Sequence, residues 1–582
     1  MAQTTALTAD LGPKSRERAI EAMQSGTLDV LVVGGGITGV GIALDAVTRG
    51  LSTALLEQRD LASGTSSRSS KLVHGGLRYL EMFDFALVRE ALQERGLLLT
   101  RLAPHLVRPV PFLYPLQHAW ERPYVGAGVA LYDAMAMAGK YSMGVPKHRH
   151  IFRKQLAHMA PDINTDALHG AIRYYDCQVD DARLVMTVAR TAASYGAHVT
   201  TRTKVTGFLQ EGGRVVGVTV RDLENDVDFE VRARTVINAA GVWTDQIQDM
   251  MGGEGALNVE ASKGIHLVVS RDRIRSEAGF ITKTEKSVLF VIPWGQYWII
   301  GTTDTPWEHD LAHPAASKAD IDYLLKHVNG LLRDPLDHSD VIGVYAGLRP
   351  LLKGTVAKDG DRGDTAAATT KISREHTVIS PIPGLVLIAG GKLTTYRVMG
   401  KDAVDLATAQ FGGVSESVTD RVPLMGAAGF ASRSNQRVSL ARSSGLDVAV
   451  IDHLLGRYGG MIDEVLGLVA DNPALGESLV GAPGYLAAEV VYAASHEGAR
   501  HLDDVLTRRT RISIETPDRG ISAALPSARL MADVFGWDDD RLREEVDHYL
   551  RRVEAERQSQ LELTDRAADE ARVSAPEGPW NV

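Results

Sequence analysis

A glycine-rich turn between an apolar strand and a helix is the part of this chain with the clearest chemistry. In DVLVVGGGITGVGIALDAVTRGLSTALLE, residues 29–57, three glycines have the spacing G-x-G-x-x-G. Gly34 allows a tight turn out of the strand, Gly36 lets the backbone approach a pyrophosphate, and Gly39 lets strand and helix pack closely. Glu57 ends the second strand, where an acidic side chain takes a ribose hydroxyl pair. The pattern predicts a bound dinucleotide, and the charge of Glu57 disfavours NADP because it would repel a 2′-phosphate.

Only one such glycine pattern stands between a strand and a helix. The sequence GAGVA near Gly126 has no strand signal before it. A flavin enzyme that accepts hydride from NAD(P)H usually needs two such sites. The chain is therefore expected to hold FAD permanently and to take electrons from a small molecule.

Composition excludes several other classes of protein. A length of 582 residues predicts two or three domains. The net charge of −10 gives no general attraction to nucleic acid. The single cysteine, Cys177, can form neither a disulfide framework nor a thiolate metal cluster, so we expect a reducing cytoplasmic setting, a core thiol and no metal site. No secretory h-region and no run of about 18 apolar residues occurs, so the sequence predicts neither secretion nor a membrane span.

The elements that must position these residues form an α/β protein. The segments GRVVGVTV, FEVRARTVINAAG, HLVVS, VLFVIPW and YWIIGTTD predict a mixed sheet inserted into the nucleotide fold, which should hold the substrate. GLVLIAGGKLTTYRVMGKDAVDLA returns the chain to the nucleotide sheet. The expected organisation is a polar tail with one short helix (1–27), an FAD-binding domain (28–421) interleaved with a substrate part (roughly 80–190 and 255–375), a helical domain (422–560) and a disordered end (561–582).

A set of longer segments resembles one flavoprotein family. They are GGGITGVGIALDAVTRGL, SSRSSKLVHGGLRYLE, YYDCQVDDARL, VINAAGVWTD, SKGIHLVV, IGTTDT, YAGLRPL, SREHTV, GGKLTTYR and AASHEGARHLDDVLTRRTRI. They cover most of residues 29–512, and the chain resembles the FAD-dependent glycerol-3-phosphate dehydrogenases. The resemblance implies a Rossmann-like FAD domain of the glycine-oxidase/D-amino-acid-oxidase type. It also implies oxidation of sn-glycerol 3-phosphate to dihydroxyacetone phosphate, with electrons passed to a membrane quinone.

Three cations suit the phosphate group of such a substrate. A phosphate monoester carries close to two negative charges and needs cations on a rigid frame. Arg78 in HGGLRYL and Lys392 in GGKLTTY follow glycine pairs in segments that should border the cofactor, whereas Arg374 in SREHTV has only its family motif behind it. Tyr79 is expected to close over the substrate, with its hydroxyl donating to the phosphate.

Two further residues match the family positions for the oxidation step. His266, in GIHLVV, matches the base that removes the alcohol proton, a task that suits an imidazole near neutral pH. Arg349, in YAGLRPL, matches the cation that stabilises the developing alkoxide. From its local sequence alone, His266 reads as a half-buried strand histidine.

Several hydroxyl groups and close backbone approaches are expected to hold the flavin. A Ser/Gly loop should cross the pyrophosphate and isoalloxazine, the strand end at VINAAG should approach the ribose and diphosphate, and the helix after GGKLTT should point its positive end at flavin N1 and O2. The residues concerned are Ser66, Ser69, Ser70, Gly75, Gly76, Ala240, Gly241, Gly391, Leu393 and Thr394.

The segment 108–140 is unusual for a soluble protein. It combines Trp120 and two tyrosines with the apolar run 125–138, flanked by arginines and lysines. The run is too short to span a bilayer but suits an interfacial helix, while an ordinary core helix is the alternative. The family resemblance favours peripheral contact with the inner face of the cell membrane. A homodimer is compatible with the sequence, which does not fix the oligomeric state.

Three other functions compete with this interpretation. An oxidase of the same substrate would hand electrons to oxygen, and site residues cannot separate it from a dehydrogenase. An amine or amino-acid oxidase on the same fold would need a carboxylate clamp rather than three cations. A flavin-binding redox sensor or scaffold is disfavoured by the complete set of site residues.

Overall fold

The computed structural model describes residues 9–139, 144–252, 255–285, 288–352 and 376–578, except for the side chains of Arg78, Glu81 and Lys283. The strands, in chain order, are β1 (Thr27–Val33), β2 (Thr53–Leu56), β3 (Leu72–Val73), β4 (Arg108–Leu116), β5 (Arg149–Phe152), β6 (Gly170–Gln178), β7 (His198–Thr200), β8 (Thr203–Glu211), β9 (Arg214–Asp222), β10 (Val227–Asn238), β11 (Val259–Ser270), β12 (Gly279–Lys283), β13 (Val288–Trp294), β14 (Tyr297–Gly301), β15 (Thr305–Trp307), β16 (Val341–Leu352), β17 (Thr377–Ile382), β18 (Leu385–Ala389), β19 (Ser478–Leu479) and β20 (Ala482–Leu486).

The helices are α1 (Pro13–Gln24), α2 (Ile37–Thr48), α3 (Arg78–Glu81), α4 (Phe85–Leu97), α5 (Glu121–Ala138), α6 (Arg153–Met159), α7 (Asp181–Ser194), α8 (Thr244–Asp249), α9 (Lys318–Asn329), α10 (Tyr396–Ala407), α11 (Phe430–Asn435), α12 (Arg437–Ser444), α13 (Val448–Tyr458), α14 (Ile462–Asp471), α15 (Ala487–His496), α16 (Leu502–Asp504), α17 (Ile512–Glu515), α18 (Ile521–Phe535), α19 (Asp539–Ser559) and α20 (Asp565–Val573). Among the described residues, no helix combines the length and the apolar character needed to cross a membrane.

The first sheet has the strand order β17-β18-β10-β1-β2-β7. Strand β1 is central and parallel to β2 and β10, and β10 is parallel to β18. The apolar runs of β1 and β2 suit strands that are covered on both faces, with α2, α7 and α10 on one face and α1 with the β8–β9 hairpin on the other. Because parallel strands end at the same edge, the turns after β1, β2, β10 and β18 meet there.

The second sheet has the order β15-β11-β14-β13-β12-β4-β6-β3, with β16 paired to β11 and β5 to β6. Its long antiparallel pair β11–β16 places His266 opposite Tyr345 and Ser262 opposite Arg349. The inner side chains of this sheet and α9 form a separate core. The second sheet therefore carries the predicted proton acceptor and its neighbouring arginine on adjacent strands.

Two parts of the predicted organisation are wrong. GRVVGVTV and FEVRARTVINAAG form β9 and β10, which belong to the first sheet, because β10 pairs with β9 over its first half and with β1 over its second half. Helix α7 falls mostly within the range 80–190 assigned to the substrate part, but it packs against α2 of the nucleotide part. Alternating apolar residues show that strands form without showing which sheet they join.

The C-terminal part from α11 to α20 is helical apart from the β19–β20 hairpin, and the prediction that residues 561–582 are disordered is wrong for 561–578. Helix α20 buries Ala568 completely. Asp565, at its first turn, lies 2.5 Å from the ammonium group of the buried Lys263, and Glu577 lies 3.3 Å from Arg59. Because Lys263 and Arg59 are distant in sequence from the tail, its polar composition alone did not indicate that residues 561–578 pack on the rest of the protein.

Candidate functional site

The glycine turn after β1 has the shape expected of a cradle for a dinucleotide phosphate. Gly34 has a φ of +113°, and a Cβ there would meet the carbonyl oxygen of Ala239 at 2.7 Å. A Cβ at Gly39 would lie 1.8 Å from the Gly34 carbonyl oxygen, so only glycine permits this packing of α2 on β1. At Gly36 the one heavy atom within 4 Å of such a Cβ is Ser66 Oγ, at 3.3 Å. A side chain at Gly36 would thus require Ser66 Oγ to shift by a few tenths of an ångström, and the cleft in front of Gly36 is where a pyrophosphate fits.

Glu57 follows β2 at the same edge of the sheet. Its carboxylate accepts hydrogen bonds from the backbone amides of Gly35, at 2.6 Å, and Arg59, at 2.7 Å. Burial raises the pKa of Glu57, while these two amides oppose the shift. The amides of Gly35 and Arg59 thus fix the Glu57 carboxylate at the edge of the sheet, in the position expected for contact with a ribose.

One cleft along the strand edge contains most of the predicted cofactor residues. We call it the nucleotide cleft, and it is lined by Gly34, Gly36, Glu57, Ser66, Ser69, Ala240, Gly241, Gly391 and Leu393, among others. It continues into a second space, the inner cavity, because Thr65, Ser69, Pro350 and residues 390–393 line both. Ser70, Gly76 and Thr394 line the inner cavity. A long, two-part ligand such as a dinucleotide suits this continuous shape.

Two predicted cofactor residues line neither space. Gly39 serves the strand–helix packing described above. The amide of Gly75 donates to the Tyr132 hydroxyl at 2.8 Å, so it is engaged within the protein, and the sequence-based expectation that it faces the flavin does not hold. Thr394 lines the inner cavity, but its hydroxyl accepts a hydrogen bond from the His74 amide at 3.1 Å. Thr394 therefore links the turn before helix α10 to the chain that follows the Ser/Gly loop.

His266 lies at the wall of the inner cavity, buried in the second sheet. Its Nε2 is 2.8 Å from Ser70 Oγ, and its ring stacks on Tyr345 with centroids 4.7 Å apart. Burial, followed by the positive charges of Arg349 and Lys71, holds the pKa of His266 well below the ordinary histidine value. The imidazole is therefore neutral at physiological pH and able to accept a proton. Its Nδ1 is buried with no hydrogen-bond partner among the described residues.

Arg349 lies beside His266 on the neighbouring strand and also lines the inner cavity. Its guanidinium is 3.3 Å from Asp304 Oδ1 and donates to Thr302 Oγ1 and the Thr303 carbonyl, each at 3.2 Å. A Cβ at Gly264 would lie 2.5 Å from its Nη2. The glycine thus leaves room for the guanidinium, and three fixed acceptors orient it.

The predicted phosphate-binding residues divide into described and undescribed ones. Tyr79 and Lys392 both line the inner cavity, and the ammonium group of Lys392 lies 3.7 Å from the Tyr79 ring centroid. Arg78 begins α3 next to Tyr79, with only its backbone described. Arg374 lies outside the described residues. Lys392 and Tyr79 therefore lie together in the lining of the inner cavity, as candidates to bind a phosphate.

Comparison with known proteins agrees with this geometry. Residues 29–406 match the family model described as FAD dependent oxidoreductase, and residues 417–542 match the C-terminal domain of alpha-glycerophosphate oxidase. A glycerol-3-phosphate dehydrogenase 2 of Mycobacterium tuberculosis is 54% identical over 572 residues, which cover 98% of this chain and 95% of the relative. The chain belongs to the FAD-dependent glycerol-3-phosphate dehydrogenases. The predictions of family, α/β fold class and FAD as cofactor are confirmed.

Two more distant members of this family extend the match. The human mitochondrial glycerol-3-phosphate dehydrogenase is 36% identical over 559 residues, covering 92% of this chain and 74% of the relative. The solved glycerol-3-phosphate dehydrogenase of Bacillus halodurans, complexed with FAD, is 29% identical and superposes with a TM-score of 0.75 over 94% of this chain and 98% of that one. The dehydrogenase fold thus extends through the C-terminal helices of this chain.

Sequence reasoning about this dehydrogenase missed the residues that support the site. Lys71 is completely buried, pairs with Asp181 at 2.8 Å, and lies 5.0 Å from the Tyr345 ring centroid. Asp181 also accepts from the amide and hydroxyl of Ser69, so this serine fixes the loop. Arg68, in the quoted segment SSRSSKLV, lines the inner cavity as well. The only signal in the sequence was a cation, Arg68, inside a Ser/Gly loop. The buried Lys71–Asp181 ion pair could be recognised only once the fold had brought the two residues together.

Helix α5 contains the apolar run 125–138, for which the sequence left open an interfacial helix or a core helix, and it has features of both. Val129 and Tyr132 are fully buried, and the Tyr132 hydroxyl donates to Asp176 at 2.7 Å. Trp120 and Tyr124 are 62% and 59% exposed, and Leu131 and Met137 are exposed as well. One face of α5 is therefore core, while the other leaves apolar and aromatic side chains uncovered in the described chain.

Proposed function

We propose that this dehydrogenase oxidises sn-glycerol 3-phosphate to dihydroxyacetone phosphate and passes the electrons to a membrane quinone. The observation that carries the proposal is the inner cavity, which opens onto the nucleotide cleft. Its lining contains the buried His266, whose pKa is lowered, together with Arg349 and the Lys392–Tyr79 pair. This arrangement matches an alcohol with a phosphate at its other end.

The oxidation removes a hydride from C2 and a proton from its hydroxyl group. FAD, when bound, supplies the acceptor for the hydride. His266 takes the hydroxyl proton, since its lowered pKa leaves it neutral, and Ser70 and Tyr345 keep the ring in one orientation. Arg349 holds the same oxygen while negative charge develops on it. Loss of the hydride from C2 and of the proton from its oxygen leaves the C2 carbonyl of the product.

Phosphate recognition gives the site its selectivity. Lys392 provides a charge at the cavity wall, and the Tyr79 hydroxyl is the neighbouring donor. We assign Arg78 and Arg374 to the same phosphate, on the family resemblance of their segments. Glycerol, which lacks the phosphate, leaves these cations unmatched and should be a poor substrate.

Electron acceptance by a quinone requires contact with the membrane surface. The net charge of −10 would by itself repel anionic lipid, so a local patch must bind. The exposed face of α5 and the 77% exposed Phe83, before the neighbouring helix α4, supply apolar and aromatic side chains. Each could add roughly 1.5–3 kcal/mol on burial, against about 1 kcal/mol for a surface cation. Attachment to the cytoplasmic membrane face is therefore mainly apolar, and release should need detergent more than salt.

The acceptor is tested by reducing the flavin anaerobically with glycerol 3-phosphate and then adding either a quinone in lipid vesicles or oxygen. We expect fast reoxidation by the quinone and slow reoxidation by oxygen. Rapid reoxidation by oxygen with peroxide release would instead identify an oxidase. No bleaching by glycerol 3-phosphate would contradict the proposed substrate itself.

Membrane contact is tested by replacing only exposed side chains. The variant W120S/Y124S/L131Q/M137Q should move to the soluble fraction and reduce quinone slowly, while anaerobic flavin reduction stays intact. A matched control replaces Val438 and Val480, which are 55% and 68% exposed on the C-terminal helical part, with serine. If the α5 variant stays bound to membranes, or if the control is released equally, this surface does not seat the enzyme.

A further inference from the structure

A further, strongly basic cavity lies where the C-terminal helices meet strand β16 and the loop after β2. We call it the cap-side cavity. Among the described residues it is lined by seven arginines and two carboxylates, Asp503 and Glu556. Arg68 also lines the inner cavity, and Arg59, Ser63 and Ala312 also line the nucleotide cleft, whereas Arg552 and the other residues of the C-terminal helices line the cap-side cavity alone. Tyr345, which stacks on His266, also lines the cap-side cavity.

Most of these arginines are neutralised by the protein. Five of the seven have a carboxylate partner: Arg59 with Glu577, Arg202 with Asp504, Arg508 with Asp60, Arg511 with Asp181 and Arg572 with Glu556. These ion pairs account for the docking of the C-terminal helices and give no reason for a ligand.

Arg552 and Arg68 are different. Arg552 is only 6% exposed, and its Nη1 donates to the Ala575 carbonyl at 3.0 Å, while its buried Nη2 has no hydrogen-bond partner in the described chain. Arg68 Nη1 donates to the Ala312 carbonyl at 3.1 Å. No carboxylate of the described residues pairs with either guanidinium. A buried cation without an ion-pair partner, as at Arg552, is costly, so a missing anion is the simplest completion of the site.

The electrostatics of the two arginines agree with this. Burial, followed by the neighbouring positive charge of Arg572, lowers the pKa of both Arg68 and Arg552 to about 10. Three carboxylates, Asp503, Glu556 and Glu577, oppose this lowering only in part. Guanidinium groups match the oxygens of phosphate-like anions in geometry and charge.

We infer that the cap-side cavity binds a small, doubly charged oxyanion of the phosphate class, with Arg552 and Arg68 as its ligands. Such an anion would join helix α19, which carries Arg552, to the loop that carries Arg68 and borders the inner cavity. It would give the C-terminal helices a role as one wall of a second ligand site. The inference is independent of the substrate assigned above.

Calorimetric titration of the holoenzyme with inorganic phosphate tests the inference. The wild type should bind phosphate in both cavities. Arg552→Gln should weaken one of the two binding events at least tenfold and leave the KM for glycerol 3-phosphate, measured without phosphate, unchanged. Lys392→Met should weaken the other event, so that failure of the proposed function and failure of this inference are separable. Phosphate binding by Arg552→Gln that equals the wild type would overturn the inference.

A second variant keeps the test open if Arg552→Gln does not fold. Gln560 lines the cap-side cavity, and its Oε1 accepts from Arg519 at 3.2 Å. The nearly isosteric change Gln560→Glu keeps that acceptor and adds the missing negative charge. It should raise the melting temperature in phosphate-free buffer and abolish the extra stabilisation that phosphate gives the wild type. A lowered melting temperature with undiminished phosphate binding would contradict the inferred site.

Discussion

Replacing Lys392 with methionine isolates the charge that we assign to the substrate phosphate. The change removes the ammonium group and keeps an unbranched stem beside the Tyr79 ring, whose centroid lies 3.7 Å from Nζ. Losing one charged partner at a buried site costs about 2–5 kcal/mol, which corresponds to a fall in kcat/KM of about 30- to 5,000-fold. The lost cation–π contact is worth only about 0.5–2 kcal/mol and does not depend on the substrate. The loss should therefore be large for glycerol 3-phosphate and small for glycerol.

The assay is stopped-flow reduction of the flavin by each of the two substrates. We expect the concentration for half-maximal reduction by glycerol 3-phosphate to rise much more than the limiting rate falls, because the phosphate contact exists before the chemical step. Lys401→Met, on helix α10 that follows Lys392, is the matched control, since the Lys401 side chain is 43% exposed and pairs with Asp405. If Lys392→Met leaves the preference for glycerol 3-phosphate over glycerol unchanged, the phosphate assignment is wrong.

Three further predictions concern the cofactor, the base and stability. Gly36→Val should fold but lose non-covalent FAD, as seen in the absorbance spectrum, whereas Gly34→Ala should destabilise the protein because of its φ of +113°; a fully yellow Gly36→Val protein would contradict the cleft assignment. His266→Gln should mainly lower the limiting rate of flavin reduction. In the wild type this rate should persist below pH 6.5 and fall only in stronger acid, because the pKa of His266 is lowered. A His266→Gln variant that loses only affinity for glycerol 3-phosphate would argue against His266 as the base. Burial lowers the pKa of His105 to about 3, so protonation of this side chain should not affect the free energy of unfolding above pH 6.5. As pH falls from 6.5 toward 3, the free energy of unfolding should decrease by about 1.4 kcal/mol per pH unit because of this histidine. His105→Gln should therefore flatten the acid side of a plot of melting temperature against pH, and an unchanged slope would refute this.

The nucleotide half was predictable because its signals are local. Gly34, Gly36 and Glu57 act through a turn and a strand end that lie within one βαβ unit, so their spacing carries the geometry. Gly75 shows the limit of this reasoning. Its segment was correctly expected near the cavity, but the orientation of its amide depends on Tyr132, which lies on a distant helix.

The rest depended on contacts between distant parts of the chain. The stack of His266 on Tyr345 follows from the register of β11 and β16, which no single segment contains. Docking of α20 follows from the pairing of Asp565 with the buried Lys263, although the tail composition alone is typical of disorder. Apolar alternation likewise predicted β10 as a strand but could not assign it to a sheet.

Anaerobic mixing of the FAD-loaded enzyme with glycerol 3-phosphate deuterated at C2 tests the central claim most directly. The claim is that the inner cavity holds C2 of this substrate at the flavin while His266 takes the hydroxyl proton. It predicts complete bleaching of the flavin, one dihydroxyacetone phosphate per flavin, and a slower reduction rate with the deuterated substrate than with the unlabelled one. Absence of bleaching, or bleaching without dihydroxyacetone phosphate, would contradict it.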